Sequence, residues 1–394
     1  MLKQQKIFFD FLRFCIGSAK EIPESLKEAD WKELYRIAQK QCLVGVLFDG
    51  IKKLPTEHVG MKKELLLQWM AESQMLENAN VRLNDAAIQV SEWFRKKGFR
   101  TCILKGQGNA LLYPNGLLRT PGDIDIWVEG GDKWVISFVR SISPHEKACY
   151  HHIEFPSYKG EEIEVHYRPS FLLCFWHNRK LQKYYERVKE EQFSHRVMLG
   201  EQGKIAIPTV EFNLIFQLTH IYAHLMNEGI GLRQLLDYYY VLISDDLLAI
   251  SDDLLVISDD LLVISDDLLV ISDDLLVIRD RVQKELKELG LWKFAGAIMY
   301  IMQEVFGMPV SRLIVPPNEK YGRFVLNEVL EAGNFGKHDE RNRFGRSKLG
   351  HNLQRVYRDM RLVRYFPAEA LSEPFFRVWH FFWRLRWDFT YRLR

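Results

Sequence analysis

The stretch GDIDIWV, residues 122–128, decides the predicted fold of this chain. It places Asp123 and Asp125 on either side of a single residue within an otherwise apolar run. In an extended strand successive side chains point to opposite faces, so Ile124 and Ile126 can pack into a core while both carboxylates project from the other face. Two carboxylates held this close repel each other, and a bound divalent metal ion is the simplest way to relieve the repulsion. The segment therefore predicts a strand that carries a metal site.

A strand is predicted at residues 99–105, FRTCILK, and a glycine turn that enters a short helix is predicted at residues 106–114, GQGNALLYP. Gly106 and Gly108 let the backbone approach a ligand, and backbone amides at a helix N-terminus bind phosphate. Lys105 and Arg119 flank the turn with positive charge. We expect both cations to contact phosphate, and the alternative is that they are ordinary surface residues.

A second alternating segment, EEIEVHYRP at residues 161–169, predicts another strand. Its apolar face carries Ile163, Val165 and Tyr167, and its polar face carries Glu162, Glu164 and His166. A neighbouring strand of this kind supplies a third carboxylate to the pair of aspartates. The spacing does not choose between Glu162 and Glu164, because both lie on the polar face.

This order of elements resembles the nucleotidyltransferase superfamily typified by DNA polymerase beta. More closely, the tripeptide LKG ending at Gly106, followed by R..GDIDIWV from Arg119, is similar to a bacterial subgroup of uncharacterised nucleotidyltransferases. The superfamily motif covers roughly residues 99–168, and the subgroup resemblance extends more weakly into the flanking regions. The resemblance implies an α/β (α+β) fold, in which a small mixed sheet is flanked by helical regions.

In that superfamily two aspartates and a third acid bind Mg²⁺. Asp123 and Asp125 match the metal pair, and Glu164 is the best match for the third acid. The resemblance therefore implies that these three residues are both the catalytic residues and the metal ligands.

The glycine turn of the superfamily holds a nucleoside triphosphate, and Gly106 matches its glycine. The usual Gly-Ser or Gly-Gly is replaced here by Gly106-Gln107, and Gly108 follows as a possible compensation. The implied nucleotide-binding residues are Lys105, Gly106, Gln107, Gly108 and Arg119.

The implied reaction transfers a nucleoside monophosphate from a nucleoside triphosphate to an acceptor hydroxyl and releases pyrophosphate, with Mg²⁺ or Mn²⁺ as the cofactor. Glu164 either completes one metal site or accepts the proton of the attacking hydroxyl. One alternative is a non-catalytic nucleotide-binding or antitoxin-like module of the same fold. Another is polymerase-like action on nucleic acid. The sequence does not identify the acceptor.

The composition predicts a globular protein of two or three domains, since the chain has 394 residues and 47% hydrophobic content. Five cysteines lack metal-ligand spacing and predict reduced thiols in the cytoplasm. The N-terminal segment lacks the pattern of a signal peptide, and no apolar run is long enough to predict a membrane span.

Three regions are predicted along the chain. They are a helical region at residues 1–95, the catalytic domain at 96–205 and a second helical region at 206–394. In the second helical region, His220 and His224 share one helix face, and Arg233 and Asp237 lie on the next helix. We expect these four residues to line the far wall of the cleft and contact substrate, with buried, hydrogen-bonded histidines or a transition-metal pair as alternatives.

Residues 244–278 contain the heptapeptide SDDLLAI once and SDDLLVI four times. The spacing of Leu and Ile favours a helical extension, whereas short strands separated by SDD turns are the alternative. Its wide apolar face predicts self-association. The repeat holds ten of the 52 acidic residues, so the rest of the chain has 54 cations against 42 anions, a net charge of +12. That excess suits a nucleoside triphosphate or nucleic acid.

The tail FFRVWHFFWRLRWDFTYRLR begins at Phe375 and is rich in arginine and aromatic residues. We expect a closing helix whose aromatic side chains pack on the body while the arginines stay in solvent. Contact with nucleic acid or with a membrane surface is the alternative.

Overall fold

The computed structural model describes residues 3–201, 203–244, 273–341 and 348–392. Helices predominate in this part of the chain, and they surround one mixed sheet of four strands and one two-stranded hairpin. The predicted α+β class is therefore confirmed. All five cysteines lie in the described part and are free thiols.

Four helices precede the sheet: α1 (Lys3–Cys15), α2 (Trp31–Gln41), α3 (Val44–Lys52) and α4 (Lys63–Lys96). Asp30 caps α2, because its side chain accepts hydrogen bonds from the backbone amides of Lys32 and Glu33. The last turns of α4 pack against the sheet through Ala87, Val90 and Phe94.

The sheet consists of β1 (Thr101–Leu104), β2 (Ile124–Val128), β3 (His152–Tyr158) and β4 (Glu161–His166), in the order β1-β2-β4-β3. The central strands β2 and β4 are parallel, and the two outer pairs are antiparallel. Helix α5 (Gly106–Ala110) follows β1 and helix α6 (Gly131–Ile142) follows β2.

The two faces of β2 differ as the alternation predicted. Ile124, Ile126 and Val128 are buried in the core that includes α4 and α6. On the opposite face, Trp127 packs on Phe193 with ring centroids 4.6 Å apart, and Asp125 points the same way. One face of the sheet therefore supplies hydrophobic stability, and the other is available for polar chemistry.

The remaining elements cover the polar face and extend the helical part of the fold. They are α7 (Phe175–Ser194), β5 (Arg196–Leu199), β6 (Gly203–Ala206), α8 (Val210–Asn227), α9 (Leu232–Ile243), α10 (Asp273–Glu288), α11 (Trp292–Phe306), α12 (Glu319–Ala332), α13 (Lys348–Leu362) and α14 (Pro367–Arg392). Short 3₁₀ segments lie at Glu24–Glu28, Thr56–His58, Gly116–Leu118, Val310–Arg312 and Asn334–Gly336.

Most of the heptapeptide repeat, residues 245–272, lies outside the described residues. The last copy contributes Asp273 to Ile278 to the start of α10. The helical interpretation of the other copies and their role in self-association stay predictions.

The tail forms α14, and its aromatic side chains divide between the body and the surface. Phe376 is buried, and Trp383 and Trp387 pack against the core beside the sheet. Phe375 and Phe382 are 72% and 63% exposed. The predicted closing helix therefore buries only part of its aromatic surface. Among the residues that the structure describes, none of the helices combines the length and hydrophobicity that a membrane span requires.

The buried apolar face of β2 should contribute strongly to the stability of the four-stranded sheet. Ile126 is fully buried, so Ile126→Ala is expected to lower the free energy of unfolding by about 2–5 kcal/mol, because it removes apolar contacts and leaves a cavity. Val81→Ala, at a half-exposed position of α4, is the control and should change the free energy of unfolding by less than about 0.5 kcal/mol. Urea denaturation of both variants measures the difference, and equal losses would contradict this account of the core.

Candidate active site

A cleft of about 500 Å³ lies between the polar face of the sheet and helices α8 and α9. The glycine turn, β2 and β4 form its floor, and His220, His224, Arg233 and Asp237 belong to its opposite wall. The expectation that these four residues face the sheet across a cleft agrees with this geometry. Their contact with substrate stays a prediction.

Three acidic side chains meet on the floor of the cleft. Carboxylate oxygens of Asp123, Asp125 and Glu164 lie within 4.8 Å of one another. The parallel register of β2 and β4 sets Asp125 directly opposite Glu164, so the backbone pairing itself creates this proximity. Glu162, two residues earlier on β4, is exposed and does not line the cleft. The geometry thus favours Glu164 as the third acid.

Two cations balance the negative charge of Asp125, which is only 3% exposed. Lys105 Nζ lies 2.9 Å from one carboxylate oxygen, and His166 Nε2 donates to the other at 2.8 Å. Burial alone raises the pKa of Asp125, but Lys105 and His166 outweigh it and hold this pKa below its ordinary value. Asp125 is therefore ionised.

The backbone of Lys105 is unusual for a residue with a side chain. Its φ of 51° lies in the left-handed region, and Gly106 follows with a φ of 38°. Such a conformation costs free energy and persists where the surrounding structure holds it. Here it ends β1 and places the ammonium group between Asp125 and His220 Nε2, which lies 3.0 Å away.

Asp123 differs from Asp125 because it forms no ion pair with any residue that the structure describes. The negative charge of Asp125 raises the pKa of Asp123 to about 6, and desolvation on the cleft floor adds to the shift. A cation bound between the two carboxylates would relieve this repulsion. The donor set is made of carboxylate oxygens, which are the ligands that Mg²⁺ and Mn²⁺ prefer, so the residues present fit such an ion.

Histidines complete the floor, and local sequence patterns did not predict that they belong to the site. Burial would lower the pKa of His166, but hydrogen bonds to Asp125 and Glu164 raise it to about 9. His152 Nδ1 lies 3.2 Å from Glu164, and burial lowers the pKa of His152 to about 4. His166 was visible on the polar face of the β4 pattern, whereas His151 and His152 become neighbours only through the pairing of β3 with β4.

The glycine turn is only partly directed into the cleft. Lys105 and Gly106 line it. Gln107 instead hydrogen-bonds Asn84 on α4, and the α-carbon of Gly108 faces Ile207. Gln107 and Gly108 do not line the cleft, so their predicted contact with the nucleotide stays a prediction that this geometry does not support.

Arg119 belongs to the wall but its guanidinium is already paired. Its Nε and Nη2 each donate to Asp237 at 2.7 Å, and Tyr113 donates to the same carboxylate at 2.7 Å. Both partners of the ion pair are buried. The interaction links the segment before β2 to helix α9, and the phosphate contact of Arg119 stays a prediction.

Much of the chain matches one known protein family. The family described as uncharacterised nucleotidyltransferase matches residues 27–252, more than half of the chain. The chain belongs to this family. The matched range includes every strand that the structure describes, the three acids and the opposite wall of the cleft on α8 and α9. No curated protein and no solved structure matches the chain.

The buried ion pair between Arg119 and Asp237 should stabilise the cleft wall. Asp237→Asn leaves the Arg119 guanidinium buried without a countercharge, so the free energy of unfolding should fall by about 3–5 kcal/mol. Asp85→Asn breaks an ion pair with the exposed Lys159 and is the control, with little expected change. Denaturant unfolding at neutral pH measures both variants.

The stabilisation by the Arg119–Asp237 ion pair should depend on pH. Burial raises the pKa of Asp237, but Arg119 and Tyr113 outweigh burial and lower this pKa. The ion pair therefore stabilises the fold fully above the ordinary carboxyl pKa of about 3.9, and this stabilisation is lost as the pH falls through the pKa of the folded state. The stability difference between the wild type and Asp237→Asn should be constant from about pH 5 to 8 and shrink below about pH 4. A difference that grows on acidification would contradict the assignment.

Proposed function

We propose that the chain transfers a nucleoside monophosphate from a nucleoside triphosphate to an acceptor hydroxyl, with Mg²⁺ or Mn²⁺ as cofactor. The observation that carries the proposal is the convergence of Asp123, Asp125 and Glu164 within 4.8 Å beside a strained glycine turn and an ammonium group. Membership of a nucleotidyltransferase family supports the same general chemistry.

Asp123, Asp125 and Glu164 would hold the divalent ions, and those ions would stabilise charge on the attacking and leaving oxygens. Asp125 is the central ligand, because it lies between the other two acids on the strand surface and is kept ionised. Asp123 is the most readily protonated of the three, so binding of a cation should shift it to the carboxylate form.

Glu164 is suited to receive the proton of the attacking hydroxyl. Burial raises the pKa of Glu164, but the hydrogen bond from His166 outweighs it, so this pKa is lowered and the carboxylate is ionised. The side chain is 31% exposed and lies on the cleft floor, where an acceptor can reach it.

Lys105 would contribute to binding the triphosphate. Its ammonium lies at the glycine turn, so it is within the same part of the cleft as Gly106 and can donate to phosphate oxygens. The pairing with Asp125 keeps the ammonium in place before the nucleotide arrives.

A second candidate function is nucleotide binding without turnover, as in a non-catalytic or antitoxin-like module. Both oxygens of Asp125 already accept contacts from Lys105 and His166, so the acids are partly neutralised by the protein itself. The two functions differ in one measurable outcome, since only the transferase releases pyrophosphate and labels an acceptor.

Asp125→Asn tests the metal assignment. The variant should lose Mg²⁺-dependent pyrophosphate release and transfer of an α-³²P label from each nucleoside triphosphate into a cell extract, because the central carboxylate is removed. Asp85→Asn, on α4 outside the cleft, should retain both activities. Circular dichroism of both variants controls for folding. Undiminished label transfer by Asp125→Asn would exclude the proposed role.

Glu164 and Glu162 form a matched pair on one strand face. Glu164→Gln should lower the rate of transfer by about 10²–10⁴-fold, the range associated with loss of a general base. Glu162→Gln should leave the rate within a factor of about two, because Glu162 is exposed outside the cleft. Single-turnover label transfer compares them, and the reverse order of effects would transfer the role to Glu162.

A further inference from the structure

A second cavity of about 980 Å³ opens from the active-site cleft. The two share a wall formed by His151, Phe171, Asn227, Glu228, Phe335 and Lys337. The far side of the second cavity is built from α13 and α14, beyond the part of the chain that matches the family. We call this second cavity the C-terminal cavity.

The C-terminal cavity carries positive charge that its own acids do not balance. Three acids line the cavity, and each already has a partner: Asp339 pairs with Arg341 at 2.8 Å, Glu373 pairs with Arg377, and Glu228 contacts His224. Lys337 and Arg355 also line the cavity, and neither forms an ion pair with a residue that the structure describes.

Arg358 adds a buried cation to the same wall. It is 6% exposed, and Nη2 donates to the backbone carbonyl of Glu228 at 3.3 Å, with no carboxylate of the described residues within salt-bridge distance. Burial lowers the pKa of the Arg358 guanidinium, which shows that the surroundings disfavour its charge. A bound anion would supply the missing countercharge.

Neutral polar groups at the cavity also lack partners. Both amide atoms of Gln354 and Nε2 of His380 are buried without a hydrogen bond to any described residue. Each unpaired buried group costs free energy, and native proteins keep few of them. Together with the cations, they form an incomplete hydrogen-bonding surface.

The strand order places this surface on the acceptor side of the acid cluster. The glycine turn follows β1, Asp125 lies on β2 and Asp123 directly precedes it, Glu164 lies on β4, and the segment at His151 that borders the C-terminal cavity enters β3. In an in-line displacement the attacking and leaving oxygens lie on opposite sides of the phosphorus. If the triphosphate lies at the glycine turn, the acceptor approaches from the side of Glu164 and the C-terminal cavity.

We propose that the C-terminal cavity binds the acceptor, and that this acceptor is a small hydroxyl compound bearing a phosphate monoester, which Lys337, Arg355 and Arg358 hold. The inference rests on the proposed function for the role of the ligand as acceptor. A volume of 980 Å³ lies within the usual range for small-molecule sites, which favours a metabolite over a nucleic acid strand. The acceptor hydroxyl would then face Glu164, whose carboxylate takes its proton as the new oxygen–phosphorus bond forms and the pyrophosphate oxygen leaves.

Binding can be tested without turnover. Glycerol 3-phosphate is the probe, glycerol is its neutral counterpart, and isothermal titration in the presence of EDTA keeps divalent ions out of the acid cluster. The wild type should bind glycerol 3-phosphate saturably and should not bind glycerol. Arg355→Gln should weaken the binding about tenfold or more, because a charge-assisted hydrogen bond is lost. Arg95→Gln, an exposed arginine of α4 far from the cavity, is the matched control and should leave it unchanged.

Three outcomes would overturn the inference: no binding of glycerol 3-phosphate, binding that Arg355→Gln and Arg95→Gln affect equally, or Arg355-dependent binding of a single-stranded oligonucleotide in its place.

A separate assay tests the proposed function. Failure of Asp125-dependent label transfer with every acceptor would reject the transferase but leave the phosphate site standing. Transfer confined to uncharged acceptors would reject the acceptor assignment but leave the transferase standing.

Discussion

The charge balance around Asp125 is the interaction on which the rest of the cleft depends. Two rigid strands hold three carboxylates together, and a buried carboxylate without a partner is costly. Lys105 and His166 supply the compensation at 2.9 and 2.8 Å. Because Lys105 also contacts His220 at 3.0 Å, the same ammonium joins the floor of the cleft to the opposite wall. Asp125 and Glu164 therefore remain ionised, and all three acids are held close together before any ligand binds.

This balance is possible only because the sheet separates its apolar and polar faces. A shift of one residue in the pairing of β2 with β4 would turn Asp125 into the core and Ile124 or Ile126 into the cleft. The burial of Ile126 against α4 and α6 makes such a shift unfavourable. Hydrophobic packing on one face thus fixes the register that brings Asp125 opposite Glu164 on the other.

Much of this arrangement could be predicted from local sequence patterns. The period-two alternation around Asp125 and Glu164 predicted both strands and their polar faces. These features depend on neighbouring residues, so the sequence displays them directly. The strand order β1-β2-β4-β3 depends instead on which strands pair, which no single segment encodes.

The features that escaped prediction are contacts between distant parts of the chain. Arg119 and Asp237 are 118 positions apart, so the sequence offered Arg119 as a phosphate ligand without revealing its carboxylate partner. Gln107 is directed away from the cleft because Asn84 of α4 accepts its hydrogen bond, a contact that the glycine pattern does not show. His152 of β3 reaches Glu164 only through the pairing of β3 with β4.

The residues proposed for the transfer step and those proposed for acceptor binding lie in different parts of the chain. Residues 27–252 match the nucleotidyltransferase family and contain all three acids, the glycine turn and both helices of the opposite wall. Lys337, Arg355 and Arg358 lie beyond that range, on elements that pack against the cleft from the C-terminal side. A fold that provides the reaction does not by itself specify the substrate. Family membership therefore supports the transfer step, whereas our proposal for the acceptor rests on the charges and unpaired polar groups that the C-terminal helices place beside the cleft.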